Sequence, residues 1–133
     1  MDFSEYDARL AAYAVIERED HVLLALWNEP AEPLWTLPGG GVGRHETVEE
    51  AAVREVREET GYDVELTGLL GVNTVALERA GRPLRHVQVV FSARVVGGVL
   101  TAEVDGSTDE ARWIPRAEVP GLPRVVQVAK FVG

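Results

Sequence analysis

The segment from Thr47 to Gly61 constrains the fold more than any other, because it carries the strongest helical signal in the chain. Thr47 and Glu50 form a Thr-x-x-Glu capping box, in which each side chain satisfies the other residue's backbone N–H at a helix start. Val48, Ala51, Ala52 and Val56 recur at three- and four-residue spacing, a narrow apolar stripe that must face a core. Gly61 closes the helix, since glycine takes the left-handed conformation common just past a helix end.

The flanking pattern is β-rich. Ala11–Glu17 and Val22–Trp27 are short apolar runs around the polar link REDH, which predicts a hairpin. Asn28–Trp35 holds two prolines and no period, which predicts a loop. WTLPGGGVGRH gathers four glycines behind a proline, which predicts sharp turns and close backbone approach. After the helix come two β-rich stretches, DVELTGLLGVNTVALE and LRHVQVVFSARVVGG, joined by RAGRP. ARWIP predicts a short strand, RAEVPGL a turn and VVQVAKFVG a short C-terminal helix. No repeat or linker divides the chain, so residues 1–133 are read as one domain. The mixed order argues for α+β, one strong helix packed on a sheet, rather than regular βαβ alternation.

With 133 residues, 46% of them hydrophobic, the chain can bury a core of its own. The absence of cysteine excludes disulfide scaffolds, thiolate metal sites and cysteine nucleophiles. A formal charge of −9 argues against nucleic acid as a partner, because nucleic-acid backbones are polyanions. Small phosphorylated ligands stay open, since a bound cation inverts local charge. MDFSEYDARL has no basic-then-apolar signal pattern, and no apolar run reaches the roughly 18 residues of a membrane span. A soluble, cytoplasmic protein with no membrane partner is expected.

REVREETG, Arg54 to Gly61, concentrates the chemistry. Glu55, Glu58 and Glu59 fall at i, i+3 and i+4, where like charges cost roughly 0.2–0.5 kcal/mol per pair. They also sit in the last turns, against the negative end of the helix dipole. Arg54 lies four residues after Glu50 and four before Glu58, within reach of either. Acidic runs on helices are commonly solvated surface. The sharper reading is a hard-cation site, with carboxylates on adjacent turns gathering oxygens around Mg²⁺ or Mn²⁺. The spacing does not match a calcium-binding EF-hand loop.

The preceding loop favours the sharper reading. Gly40, five residues, Glu46, seven residues, Arg54-Glu55-Val56, one residue, Glu58-Glu59, one residue, Gly61 and Tyr62 resemble the Nudix box, the signature of the Nudix hydrolase family. Written G-x5-E-x7-R-E-U-x-E-E-x-G-U, with U bulky and apolar, the box is matched at all seven identity positions. Tyr62 stands where an aliphatic residue is usual. Gly43 and His45 replace the glutamate and glycine frequent in the loop.

The resemblance implies an α/β/α sandwich with a mixed sheet. It implies Glu55, Glu58 and Glu59 as metal ligands, with the Gly40 carbonyl as a further one. Glu46 and Arg54 would brace the loop. The reaction implied is Mg²⁺-dependent (or Mn²⁺-dependent) hydrolysis of a nucleoside diphosphate derivative or (d)NTP, by water attack at phosphorus. Glu58, Glu59, Arg54 and Glu110 are the expected catalytic residues, Glu110 being either a functional loop acid or a solvated one. Trp35 and Trp27 could stack on a base or simply pack. Arg85, with Arg79, Arg82 and His86 near the RAGRP link, could meet phosphates or form a solvated tip. A homodimer stays open. The alternative within the family is a non-catalytic domain that senses a nucleotide or sugar phosphate. Such domains often lose box glutamates, and this chain keeps four.

Overall fold

The structure, a computed structural model, describes residues 2–101 and 108–133, with the side chains of residues 108 and 109 excepted. A 3-10 turn at Phe3–Glu5 leads into β1 (Asp7–Arg18), β2 (His21–Trp27), β3 (Leu34–Thr36) and β4 (Gly39–Gly41). Helix α1 (Val48–Thr60) follows, then β5 (Tyr62–Arg79), β6 (Arg82–Gly98) and β7 (Thr108–Pro115). A 3-10 segment, Arg116–Gly121, and the short helix α2 (Val126–Phe131) complete the order. No described helix is long and apolar enough to cross a membrane.

The strands run in the order β3-β2-β1-β6-β5, with β4 added on β1 and β7 on β2. β1 and β6 are parallel over ten residue pairs and the remaining pairings are antiparallel, so the sheet is mixed. The β1–β2 hairpin predicted from the sequence is present, but its strands pair only at Glu17–Val22 and Arg18–His21. Further back, β1 pairs instead with β4, at Ala11–Tyr13. The sheet therefore divides into two wings, β4-β1-β6-β5 and β3-β2-β7, joined at one end of β1.

Alternation along the strands sends side chains to two cores. On one face, Ala14, Ile16, Leu23 and Ala93 pack with Val56 of α1, while Ala12 and Phe91 receive Ala51 and Ala52. Alanines on both sides let the helix lie close to the sheet. On the other face, Val15, Val22, Leu24 and Val90 pack with Val119, Val128 and Val132. Helices thus cover both faces of the sheet, the α/β/α sandwich that the resemblance implies.

Two local expectations are corrected. Trp35 belongs to β3, paired with Leu26, although Asn28–Trp35 reads as loop. Gly39–Gly41 form β4 instead of a turn. The reason is tertiary: a Cβ on Gly39 would stand 2.2 Å from the Ala12 carbonyl oxygen, so glycine is what permits this strand to lie against β1.

Candidate active site

Both ends of α1 are built as the sequence specifies. Thr47 Oγ1 accepts from Glu50 N at 3.1 Å, and the Glu50 carboxylate accepts from Thr47 N at 2.9 Å. Gly61 ends the helix at φ 81°, donating to the Arg57 carbonyl at 2.9 Å. A Cβ there would lie 2.2 Å from the Val99 carbonyl oxygen. The final turns, which carry the glutamates, are held in place by these contacts.

Arg54 is the hub. Its Nε donates to Glu46 at 2.9 Å and its Nη2 donates to the other oxygen of the same carboxylate, a bidentate fork. Nη2 also donates to the Gly41 carbonyl at 3.1 Å. Nη1 donates to Glu55 at 2.9 Å and to Glu58 at 3.2 Å. Glu46 further accepts from Gly43 N at 2.6 Å. The Arg54 hydrogen bond, then the Gly43 N–H, hold the Glu46 carboxyl far below its usual range, at about 2. Glu46 in return holds Arg54 charged. Of the two acids within reach of Arg54 by spacing, Glu58 is bound and Glu50 is engaged in the capping box.

The three glutamates do not act as one face. At about 100° per residue, Glu55 and Glu59 lie about 40° apart around the helix, whereas Glu58 falls about 60° to the other side of Glu55. Glu55 and Glu59 accordingly line a cleft, and Glu58, half exposed, rests on Arg54. Glu59 is buried, its Oε2 accepting from Gly39 N at 3.1 Å. The Glu55 carboxylate lies against Gly40, where a Cβ would come within 2.7 Å of its Cδ. Among the described residues no three acidic or histidine side chains are grouped closely enough to enclose an ion. The donor set is nevertheless all oxygen, and the bare Gly40 backbone sits beside a carboxylate, which suits a hard divalent cation and no soft one.

The cleft measures about 660 Å³ and opens from β4 across the face of the first wing. Arg9 and Tyr13 of β1, His86 and Gln88 of β6, and Asn73, Val75 and Leu77 of β5 line one side. The register explains the grouping, since Arg9 faces His86, which faces Val75, and Gln88 faces Asn73. Trp27, Leu34 and Gln127 line the opposite side. Asn73 Nδ2 donates to Gln88 Oε1 at 2.9 Å, and Gln88 also hydrogen-bonds the Tyr13 hydroxyl. Burial first, then the Glu59 charge, push Tyr13 up to about 12, so it stays a neutral phenol. Burial and neighbouring Arg9 lower His86, favouring its neutral form.

Gln127 stands apart. Its Oε1 accepts from both Leu37 N and Thr36 Oγ1 at 2.9 Å. Its Nε2, fully buried, has no hydrogen-bond partner among the described residues. A buried donor left so costs about 1–3 kcal/mol. Asn73, Gln88, Tyr13, Arg9 and Gln127 all escaped sequence reasoning. A glutamine inside the apolar VVQVAKF stretch was the one local signal available.

Three sequence candidates lie elsewhere. In β3 the pleat turns Leu34 and Thr36 to the cleft and Trp35 to the core, where it is 7% exposed and packs with Val22, Leu24 and Val128. Trp27, not Trp35, is the tryptophan of the cleft wall. Arg85 alternates with His86 and is exposed on the opposite face of β6. Glu110 belongs to β7 rather than a loop, paired with Leu26 and held by Arg112 at 2.8 Å. It shares a face with Arg112 and the core residue Ile114, whereas Ala111 and Trp113 face the α1 side.

Comparison with known proteins accords with this geometry. The sequence profile of the NUDIX domain matches residues 7–131. The ADP-ribose pyrophosphatase of Methanocaldococcus jannaschii is 41% identical over 115 residues, covering 85% of this chain and 65% of its own. The human 8-oxo-dGDP phosphatase NUDT18 is 34% identical over 118 residues, covering 87% of this chain and 34% of its own. The chain thus spans about two thirds of one relative and about a third of the other. The crystal structure of the MutT NUDIX hydrolase from Burkholderia pseudomallei superposes with a TM-score of 0.79 at 28% identity, over 95% of this chain and 96% of that one. A domain match from the first strand into the last helix, with every identity position of the box in place, means that the chain belongs to the Nudix hydrolase family.

Proposed function

We propose that the chain is a divalent-metal-dependent pyrophosphohydrolase that cleaves the diphosphate linkage of a nucleoside diphosphate derivative or (d)NTP, with water attacking phosphorus. One observation carries the reading: Glu55 and Glu59 meet the side-chain-free backbone of Gly39 and Gly40 on the wall of a cleft of nucleotide size. Glu55, Glu58, Glu59 and the Gly40 carbonyl would hold Mg²⁺ or Mn²⁺. Bound there, the cation supplies neutralised phosphate charge, polarised phosphoryl oxygens and a water of lowered pKa.

The protein's own groups do the rest. The Gly39 N–H orients the Glu59 carboxylate at the cleft wall, where it would take a proton from the attacking water. Arg54 fixes Glu55 and Glu58 relative to the loop through Glu46 and Gly41. Glu58 is the second candidate base, being more exposed. Arg9, which a Cβ on Gly41 would meet at 3.5 Å, takes the phosphate-facing role first given to Arg85. Trp27 supplies an aromatic face for a base in place of Trp35. Glu110, paired with Arg112 on β7, is not among the residues that line the cleft. A single Nudix domain acting in the cytoplasm fits this chemistry.

The two relatives carry different bases in their names, adenine in one and oxidised guanine in the other. The test is phosphate release from a panel of (d)NTPs and nucleoside diphosphate derivatives, with and without Mg²⁺. Metal-dependent turnover of at least one is expected. Binding without turnover of any would replace the enzyme by a sensor.

A further inference from the structure

Among the described residues two side chains lining the cleft keep hydrogen-bonding capacity unspent, His86 at Nε2 and Gln127 at its amide nitrogen, and only the amide is fixed as a donor. Gln127 presents its amide from α2, and the amide cannot be flipped, because Leu37 N is a donor and requires an oxygen opposite it. Thr36 Oγ1 lies 2.9 Å from Oε1 and 3.1 Å from the Leu37 carbonyl, and its one hydrogen is shared between them. Oε1 is committed to Leu37 N, and the two N–H groups remain. They are buried and have no partner among the described residues. The other amides of the cleft differ, since Asn73 and Gln88 bond one another and Gln88 continues to Tyr13. Gln127 is therefore a donor-only group facing a ligand site.

Its position relative to the glutamates narrows what it meets. Glu59 grips the backbone at Gly39 N and Gln127 grips it at Leu37 N. Those two anchors are two residues apart, at most about 7 Å along the chain, and both side chains line the one cleft. Trp27 and Leu34, on the same side of the cleft, offer a flat apolar wall. Bases differ in what their edges offer such a group. Guanine presents O6 and N7, two acceptors side by side, whereas adenine presents N7 beside the N6 amino donor. Two N–H groups match the first pattern and oppose the second.

We propose that Gln127 is a specificity-determining residue, its donor-only amide in the diphosphate cleft selecting nucleotides of 6-oxopurines over those of 6-aminopurines. The proposal rests on the nucleotide-hydrolase reading of the same site and deepens it.

The test compares ITP with ATP, which differ in the ring only at position 6 and the N1 hydrogen that accompanies it. The wild-type protein turns over ITP with a kcat/KM at least about 10-fold above that for ATP. Gln127→Glu keeps an oxygen for Leu37 N and replaces both N–H groups by an acceptor, so the preference falls to near one or reverses. An ITP-to-ATP ratio at or below one in the wild type, which needs no variant to fold, would overturn the proposal. An unchanged ratio in a folded Gln127→Glu variant would do the same. Equilibrium dialysis with IDP and ADP separates this inference from the activity. IDP preference without hydrolysis of any nucleotide supports the role of Gln127 and removes the enzyme. Hydrolysis with equal binding of the two supports the enzyme and removes the role of Gln127.

Discussion

On one wall of the cleft Arg54 makes five hydrogen bonds, to Glu46, Glu55, Glu58 and the Gly41 carbonyl. On the other wall Gln127 commits its oxygen to Leu37 N and leaves both N–H groups unused. The first wall is ionic, lies within one continuous stretch of chain from Gly39 to Thr60, and fixes its charges before any ligand arrives. The second carries the amides, with Arg9 beside them, and is assembled from β1, β2, β3, β5, β6 and α2, which meet only in the folded state. Charge fixed in place suits chemistry that must not vary with the substrate. A donor without a partner suits discrimination, because a wrong edge leaves it unpaired in a dry site. The repulsion among the glutamates is met by Arg54, which touches two of the three and draws its orientation from Glu46.

The largest effect expected on the ionic wall is kinetic. Glu59→Gln leaves an oxygen for Gly39 N, so the fold is retained, yet removes a charge and a proton acceptor. The kcat falls by at least about 10²-fold, the size of general-base and metal contributions. Steady-state rates at saturating Mg²⁺, set beside a thermal melt, check it. Near-full activity in a folded variant would mean that the proton goes elsewhere.

How much of this was open to sequence reasoning follows from the same contrast. The ionic wall was legible because its parts are close in sequence: a capping box, a stripe of alanine and valine, a terminal glycine and a fixed spacing from Gly40 to Glu59. Even there the glutamates were read as one converging face, and the helix instead sends Glu58 to Arg54. The amide wall was not legible, since nothing local says that Asn73 meets Gln88 or that Gln127 faces Leu37. Trp35, Arg85 and Glu110 share one obstacle: each lies in a strand, Trp35 and Glu110 where the sequence reads as loop, and the face each presents is set by pairing that no local pattern shows. Gly39–Gly41 failed differently: three glycines read as a turn by propensity, and strand pairing with β1 overrode it.

A pair of glycine substitutions sharpens the boundary between structure and chemistry within the ionic wall. In Gly40→Ala the new methyl meets the far end of the Glu55 side chain at 2.7 Å, and that carboxylate can swing aside. The fold survives with little change in melting temperature, while Mg²⁺ affinity, read by titrating activity, weakens about 10-fold, as displaced ligand support does. In Gly39→Ala the methyl meets the Ala12 carbonyl at 2.2 Å, with φ at 153°, and the backbone must move. Stability falls there first. Equal melting temperatures in the two variants would count against this division.

The smallest effect is a pH dependence. Glu46 titrates at about 2 in the folded chain against an ordinary value of 4.5, because Arg54 and the Gly43 N–H favour its charged form. A depressed folded-state value means that the unfolded chain binds the proton first, so the contribution is present above about 4.5 and is lost as pH falls towards 2. In Glu46→Gln the fork to Arg54 loses its charge at every pH. Urea midpoints of wild type and variant therefore differ most near neutrality and converge as pH drops from 4.5 to 2. A constant offset across that range would place the Glu46 contribution in shape rather than charge, and the rigidity of the ionic wall would then owe nothing to the ion pair at its base.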